Sequence, residues 1–364
     1  MKTTDLLTSL DQAALLSVKD IMLSTEESMF LDTCLEHTVL RAIVTYGGEG
    51  FAHFRDAVYS STPTTDDKIT VHKSDVWPMP AIPIDESSIT GNAEVHDRIF
   101  TDIGYDVTSA IFSKVVRIIF GDQLSVSRMR SVETNRVGHD HPHRSFLNLA
   151  LGPGLFHYQI HAAGGILETH WGNPSAGARD PGSLSFHNTL LDRKPIVITS
   201  APPYRVSRDL IFVSLYGRLI HCLELVAKCS SLDEYARTVD LDTLKIHCRE
   251  VIKQYANPRV CASLRNDRKQ HPDTPKGDMV FENATLFLRD ALLLREFTDA
   301  IKSGDSGRVR IMLKLLALGY RGMGRTKYAY ETLTLLHNLT HVWPTPLRYE
   351  IPPIYLLWIH LTLF

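Results

Sequence analysis

The chain has 364 residues, of which 44% are hydrophobic and 22% charged, so a collagen-like, low-complexity or fully disordered chain is excluded. At about 150 residues per domain the length suggests two domains with ample core. Lys+Arg is 39 against Asp+Glu 41, a net charge of -2, which excludes a uniformly basic nucleic-acid coat but not a local basic face.

In chain order, residues 1–38 read as helical, with Leu6, Leu7, Leu10, Ala14 and Leu15 at helical spacing. The β-branched run 39–46 reads as a buried strand, broken by Gly47-Gly48-Glu49-Gly50. Residues 60–95 are rich in Ser, Thr, Asp and Pro and read as irregular chain or short edge strands. Residues 107–113 suit a helix end. The run 115–120 is the clearest central-strand signal, and it leads directly into Gly121-Asp122-Gln123. A helix over 125–137, a short strand over 146–151 and a helix from 155 follow. Residues 172–206 are loop-rich, with five prolines. From Asp209 to His341 the pattern is almost entirely helical. Its first part, 210–227, is one apolar run, Ser231 and Asp240 stand at helix starts, and further helices are expected over 286–301, 309–318 and 327–339.

Five cysteines without a CxxC pair, no signal-peptide pattern at the start and no apolar stretch near 20 residues point to an intracellular, reducing location without a membrane segment. Between Lys245 and Arg348 the chain carries 18 Lys+Arg against 10 Asp+Glu. This uneven placement fits either a face for an anionic partner or a set of solvated helix faces.

Asp122 is the most informative single residue. A carboxylate just past a strand end sits where α/β sheets place their sites, and it suits Mg²⁺; equally, it can cap the helix that follows. Glu331 lies beside the packed stripe of a late helix and needs either a metal or a cationic partner such as Arg325 or Lys327. His139, His141 and His143 alternate in a Pro-containing loop and read as a polar turn rather than a zinc site. His157 and His161 stand four apart, but without the HExxH glutamate. There is no GxSxG elbow, GxxxxGK[ST] loop or GxGxxG turn. The stretch 181–194 reads as structural turns and caps.

The phrases Ile119-Phe-Gly-Asp-Gln-Leu-Ser-Val-Ser-Arg128, Gly154-Leu-Phe-His157, Thr169-His-Trp-Gly172, 181–194 and Arg325-Thr-Lys-Tyr-Ala-Tyr-Glu331 resemble a fungal, basidiomycete-rich family designated domain of unknown function 6589. The likeness covers roughly residues 35–348. The arrangement is also similar, at the level of architecture, to RNase H-fold transposases of the hAT and Kyakuja-Dileera-Zisupton type. That likeness implies an α/β fold in which an RNase H-like mixed-sheet core is interrupted by a large all-helical insertion. The implied division is an N-terminal helical segment (1–38), a first part of the core (39–160), the insertion (161–320), a core-completing helix (321–348) and an atypical tail (349–364).

The likeness also implies roles. Asp122 and Glu331 would hold Mg²⁺, and His157 would match a histidine near the site. The first catalytic Asp would stand where this chain has Gly47, with Glu49 or Asp56 as substitutes. Two-metal phosphoryl chemistry needs all three carboxylates, to hold two ions about 4 Å apart. A transposase-derived protein with impaired catalysis is therefore expected, nuclear, binding DNA through Arg268, Lys269, Arg325 and Lys327. The alternative is a non-enzymatic interaction module, then expected in the cytoplasm, with a protein partner or self-association and no nucleic-acid role. The tail departs from the family's continuation, as a truncated or misread gene end would.

Overall fold

The computed structural model describes residues 1–71, 73, 75, 77–139, 144–271 and 279–348. His141 and His143 of the histidine loop and the tail 349–364 lie outside the described residues.

The chain opens with α1 (Thr3–Asp11), α2 (Val18–Ile21), α3 (Thr25–Tyr46) and α4 (Arg55–Ser60). After an irregular stretch come α5 (Ile89–Asp102), α6 (Ala110–Lys114), β1 (Arg117–Gly121), α7 (Gln123–Asn135), β2 (Leu149–Pro153) and α8 (Leu155–His170). The remainder is helical: α9 (Leu184–Leu190), α10 (Tyr204–Ala227), α11 (Leu232–Thr238), α12 (Leu241–Tyr255) and α13 (Pro258–Gln270). α14 (Met279–Lys302), α15 (Ser306–Gly322) and α16 (Thr326–His337) complete it. These elements form two compact units, each discontinuous in sequence. The first comprises Met1–Leu23, Thr65–Tyr158 and Ile301–Phe364; the second comprises Ser24–Thr64 and Gln159–Ala300.

In the first unit, β1 and β2 pair in parallel, Arg117 opposite Leu149 through Gly121 opposite Pro153, and α7 makes the crossover between them. Strand β2 is buried throughout, whereas β1 is only half-buried. Apolar side chains of α5, α6 and α7 pack with β2 in one core that includes Phe100, Phe112, Val126, Met129, Val132 and Leu149. Helices α15 and α16 pack on each other beyond the turn at Gly324, and the Tyr320 hydroxyl donates to the Tyr158 carbonyl at 2.7 Å.

Asp305 anchors the irregular stretch that precedes α5. It is fully buried, and it caps α15 by accepting the Arg308 amide at 3.1 Å. It also accepts both the amide and the hydroxyl of Thr65. A Cβ added at Gly307 would lie 2.3 Å from Thr65 Oγ1, so this close approach requires glycine.

In the second unit, α3, α10 and α12 pack on one another, α9 lies on α10, and α11 covers the 3₁₀ turn Glu49–Phe54. Helix α10 is long and apolar enough to cross a bilayer by length and composition. Its Leu210, Ile211, Leu215, Leu219 and Leu223 are buried within this unit.

This architecture overturns the expected RNase H-like mixed-sheet core with a helical insertion. The run 39–46, read as a strand, is the last part of α3, with Val39, Leu40, Ile43 and Val44 buried. A short apolar run does not distinguish strand from buried helix. Here the helix is already propagating from Ser24, whose hydroxyl accepts the Glu27 amide while Glu27 reaches back to the Ser24 amide. The helical penalty of β-branched residues is only a few tenths of a kcal/mol each, and burial outweighs it. The run 115–120 forms a strand, but one in a two-stranded sheet, the only sheet among the described residues. Among the described residues no antiparallel strand accompanies it to make a mixed sheet; beside it stands only an isolated antiparallel bridge, Lys2 opposite Val115.

Asp305→Ala removes a cap and leaves the Thr65 donors without their acceptor. It is expected to cost about 2–3 kcal/mol in urea unfolding. A loss under about 0.5 kcal/mol would show that the anchor carries no stability.

Candidate functional site

The acids expected to bind metal lie in the first unit, and each has a structural partner. Asp122 is the N-cap of α7, its carboxylate accepting the Ser125 amide at 2.7 Å. Glu331 is 1% exposed and forms a two-point ion pair with Arg130 of α7, one contact being 3.1 Å. Its partner comes from a distant part of the chain, not from Arg325 or Lys327. Both acids act on Tyr328, whose hydroxyl is pushed up to about 12, chiefly by burial and then by the charges of Asp122 and Glu331. The fold thus brings the two acids to one neighbourhood but commits them to a cap and a guanidinium. No group of three or more His, Cys, Asp or Glu able to hold a metal ion occurs among the described residues.

Gly47, Glu49 and Asp56 lie in the second unit and His157 in the first. A Cβ at Gly47 would meet the Ile43 carbonyl at 2.6 Å and the Phe51 ring at 3.0 Å, so a carboxylate cannot stand there without displacing that ring. Glu49 is 89% exposed and faces Arg55 at 3.5 Å. It and Asp56 belong to the second unit, whereas Asp122 and Glu331 belong to the first. His157 is half-buried at the start of α8, with Nδ1 lacking a hydrogen-bond partner.

The four expected DNA-binding cations are divided between the units, Arg268 and Lys269 in the second, Arg325 and Lys327 in the first. Arg268 and Arg265 both bind the buried Glu282, with contacts of 2.9 and 3.0 Å. Elsewhere in the basic segment Arg249 pairs with Glu36, and Arg310 faces Asp67 at 3.6 Å. Carboxylates from the acidic first part of the chain therefore offset part of the later cationic surplus. Lys269 and Lys327 remain exposed.

The second unit holds a pocket of about 660 Å³ that the sequence reading did not mark. One face of α10 forms its floor through Val213, Ser214, Gly217, Arg218, His221, Cys222 and Leu225, spaced three and four apart as a helix stripe requires. Leu190 and Leu191 at the end of α9, Tyr255 of α12 and the first turns of α14 supply apolar walls. Gly217 leaves open space where a Cβ would stand.

The polar groups of this pocket converge. Arg218 Nη2 donates to the Gly182 carbonyl at 2.6 Å, and the guanidinium lies 4.4 Å from the centre of the Phe287 ring. Burial lowers its pKa to about 10, against smaller opposing effects of Cys222 and Asp180. Its Nη1 is buried without a hydrogen-bond partner. His187 Nδ1 and the Ser214 hydroxyl are 2.9 Å apart. Burial first, and the Arg218 charge second, bring His187 down to about 4. The Cys222 thiol is pushed up to about 12 by burial. Arg218 is thus the one Lys or Arg among the lining residues, with His187 and Cys222 neutral beside it and His221 of the same lining 3.1 Å from Glu224. The pocket's signal in the sequence is Arg218 itself, the one Lys, Arg, Asp or Glu between Asp209 and Glu224.

The model of a family described as of unknown function, DUF6589, matches residues 10–356. The chain belongs to the DUF6589 family. The resemblance read from its motifs therefore holds, while the likeness to RNase H-fold transposases does not, because the mixed sheet it requires is replaced by helices and a two-stranded parallel pair. No match is found among curated proteins or among solved structures.

Two predictions concern the acids of this DUF6589 chain. Asp122→Ala should cost about 1 kcal/mol, the worth of a cap, whereas Glu331→Ala should cost about 3 kcal/mol because it strands Arg130. Equal losses in denaturant unfolding would contradict this division. Burial pushes Glu133 up to about 7, against the opposing charge of Arg130. The folded state thus holds a proton on Glu133 that the unfolded state releases above about pH 4.5, and stability falls as pH rises from there through 7. Glu133→Gln should match the parent below pH 4.5 and exceed it by about 1–3 kcal/mol at pH 8. Parallel stability–pH curves would refute the burial of this carboxyl.

Proposed function

We propose that this protein is a non-enzymatic interaction protein that binds an apolar group of its partner in the α10 pocket of the second unit. The observation that carries the reading is the pocket itself, a concavity of about 660 Å³ with apolar walls and a few convergent polar groups. Sites of small ligands and inserted side chains characteristically have this size and make-up. The commitments of Asp122 to a helix cap and of Glu331 to Arg130 support a role without metal chemistry. The pairing of Arg268 with Glu282 favours a role without nucleic acid.

An uncharged environment-sensitive dye, Nile red, tests the reading. It should bind the full chain with a blue-shifted emission. Gly217→Leu puts a side chain into the pocket's open space while improving helix propensity. It should reduce dye affinity at least tenfold and leave the melting temperature unchanged or raised. Undiminished dye binding by Gly217→Leu would overturn the assignment. So would robust Mg²⁺-dependent DNA cleavage that disappears in Asp122→Ala.

A further inference from the structure

We infer that the α10 pocket selects a monocarboxylic acid with an apolar body, its carboxylate bound by Arg218. The inference rests on the pocket being a binding site, as proposed above, and adds the chemistry of its occupant.

Charge complementarity carries the argument. Arg218 belongs to the pocket lining, yet no carboxylate lies within ion-pair distance of it among the described residues. Asp180 acts on it only through the field. Buried arginines are ordinarily paired, because an uncompensated buried charge is strongly destabilising. In this same unit Arg41 and Arg295 follow that rule, both pairing with Asp299. Arg218 does not. Its Nη2 donates to the Gly182 carbonyl at 2.6 Å and lies 3.5 Å from His187 Nε2, while Nη1 faces no acceptor. A guanidinium presents a planar fork that a carboxylate matches with two parallel hydrogen bonds.

The rest of the pocket narrows the class. His187 is neutral and stands beside the hydroxyl of Ser214, so next to the Arg218 guanidinium the site supplies two neutral polar groups, while His221 of the lining is engaged by Glu224 at 3.1 Å. One cation matches a monoanion better than a phosphate dianion, whose second charge would be desolvated without compensation. Leu190, Leu191, Val213, Leu225, Tyr255 and Phe281 offer walls with no further charge to satisfy, which calls for a hydrocarbon body. A straight-chain fatty acid and an aryl carboxylic acid share this chemistry.

Titration calorimetry of the full chain with decanoate and decanol separates the two halves of the claim. Decanoate should bind at least tenfold more tightly than decanol. Arg218→Met should abolish that preference while keeping decanol affinity within threefold. Arg218→Lys keeps the charge but not the planar fork, and should retain part of the preference; it serves as the second variant if the methionine form does not fold. A carboxylic acid with an aromatic body, 2-naphthoate, measured against 2-naphthol, distinguishes aryl from aliphatic ligands, and a preference for the acid in either pair supports the inference. Equal affinities for acid and alcohol in both pairs, or a preference that survives Arg218→Met, would overturn the carboxylate assignment and leave the pocket standing. Absence of binding by all four compounds together with absence of Nile red binding would overturn the pocket as well.

Discussion

A charge taken out of water must meet an opposite charge, and this requirement orders much of the molecule. Glu331 is buried in the first unit because Arg130 reaches it from α7. Glu282 is buried in the second because Arg265 and Arg268 converge on it. Asp299 is held between Arg41 and Arg295. Each of these pairs ties one helix turn to another, and breaking one partner would leave a buried charge worth several kcal/mol of instability. Arg218 stands apart against that background. Its guanidinium lies in the α10 pocket, where it meets the Gly182 carbonyl and, at 3.5 Å, His187 Nε2 rather than a carboxylate, and the functional reading grows from this difference.

The same requirement explains why the expected catalytic acids do not make a metal site. A two-metal centre needs carboxylates that are free to share cations. Asp122 has its lone pairs directed at the first turn of α7, and Glu331 has its own directed at a guanidinium. In this structure the two acids therefore serve packing and capping. In the second unit, burial holds the His187 imidazole neutral and the Cys222 thiol protonated beside the Arg218 guanidinium.

Parts of this structure were legible beforehand. The strand before Gly121 and the helices of the second half follow from apolar runs and periodic stripes, and Ser231 and Asp240 cap the helices they precede. The family membership followed from motif wording. The run 39–46 does not declare itself a helix because its eight residues, Arg41 and Thr45 among them, carry no decisive period; the capping box at Ser24 and Glu27, four turns upstream, is the signal that identifies a helix passing through it. Likewise, the cationic surplus after Lys245 suggested an anion-binding face, but Arg249 pairs with Glu36 across 213 residues, a contact no local count can see.

Composition, spacing and wording by themselves determined a globular chain with a helical second half, where several of those helices begin, and its family. They also narrowed the role of Asp122 to a metal ligand or a helix cap. Only the tertiary structure decided between those two, paired Glu331 with Arg130, and set Arg218 among the walls of a pocket. The reason is physical. Helix caps and periodic stripes act between residues three or four apart, so they are written in consecutive letters, whereas the partner of a buried charge can come from anywhere in the chain and exists only once the chain has folded.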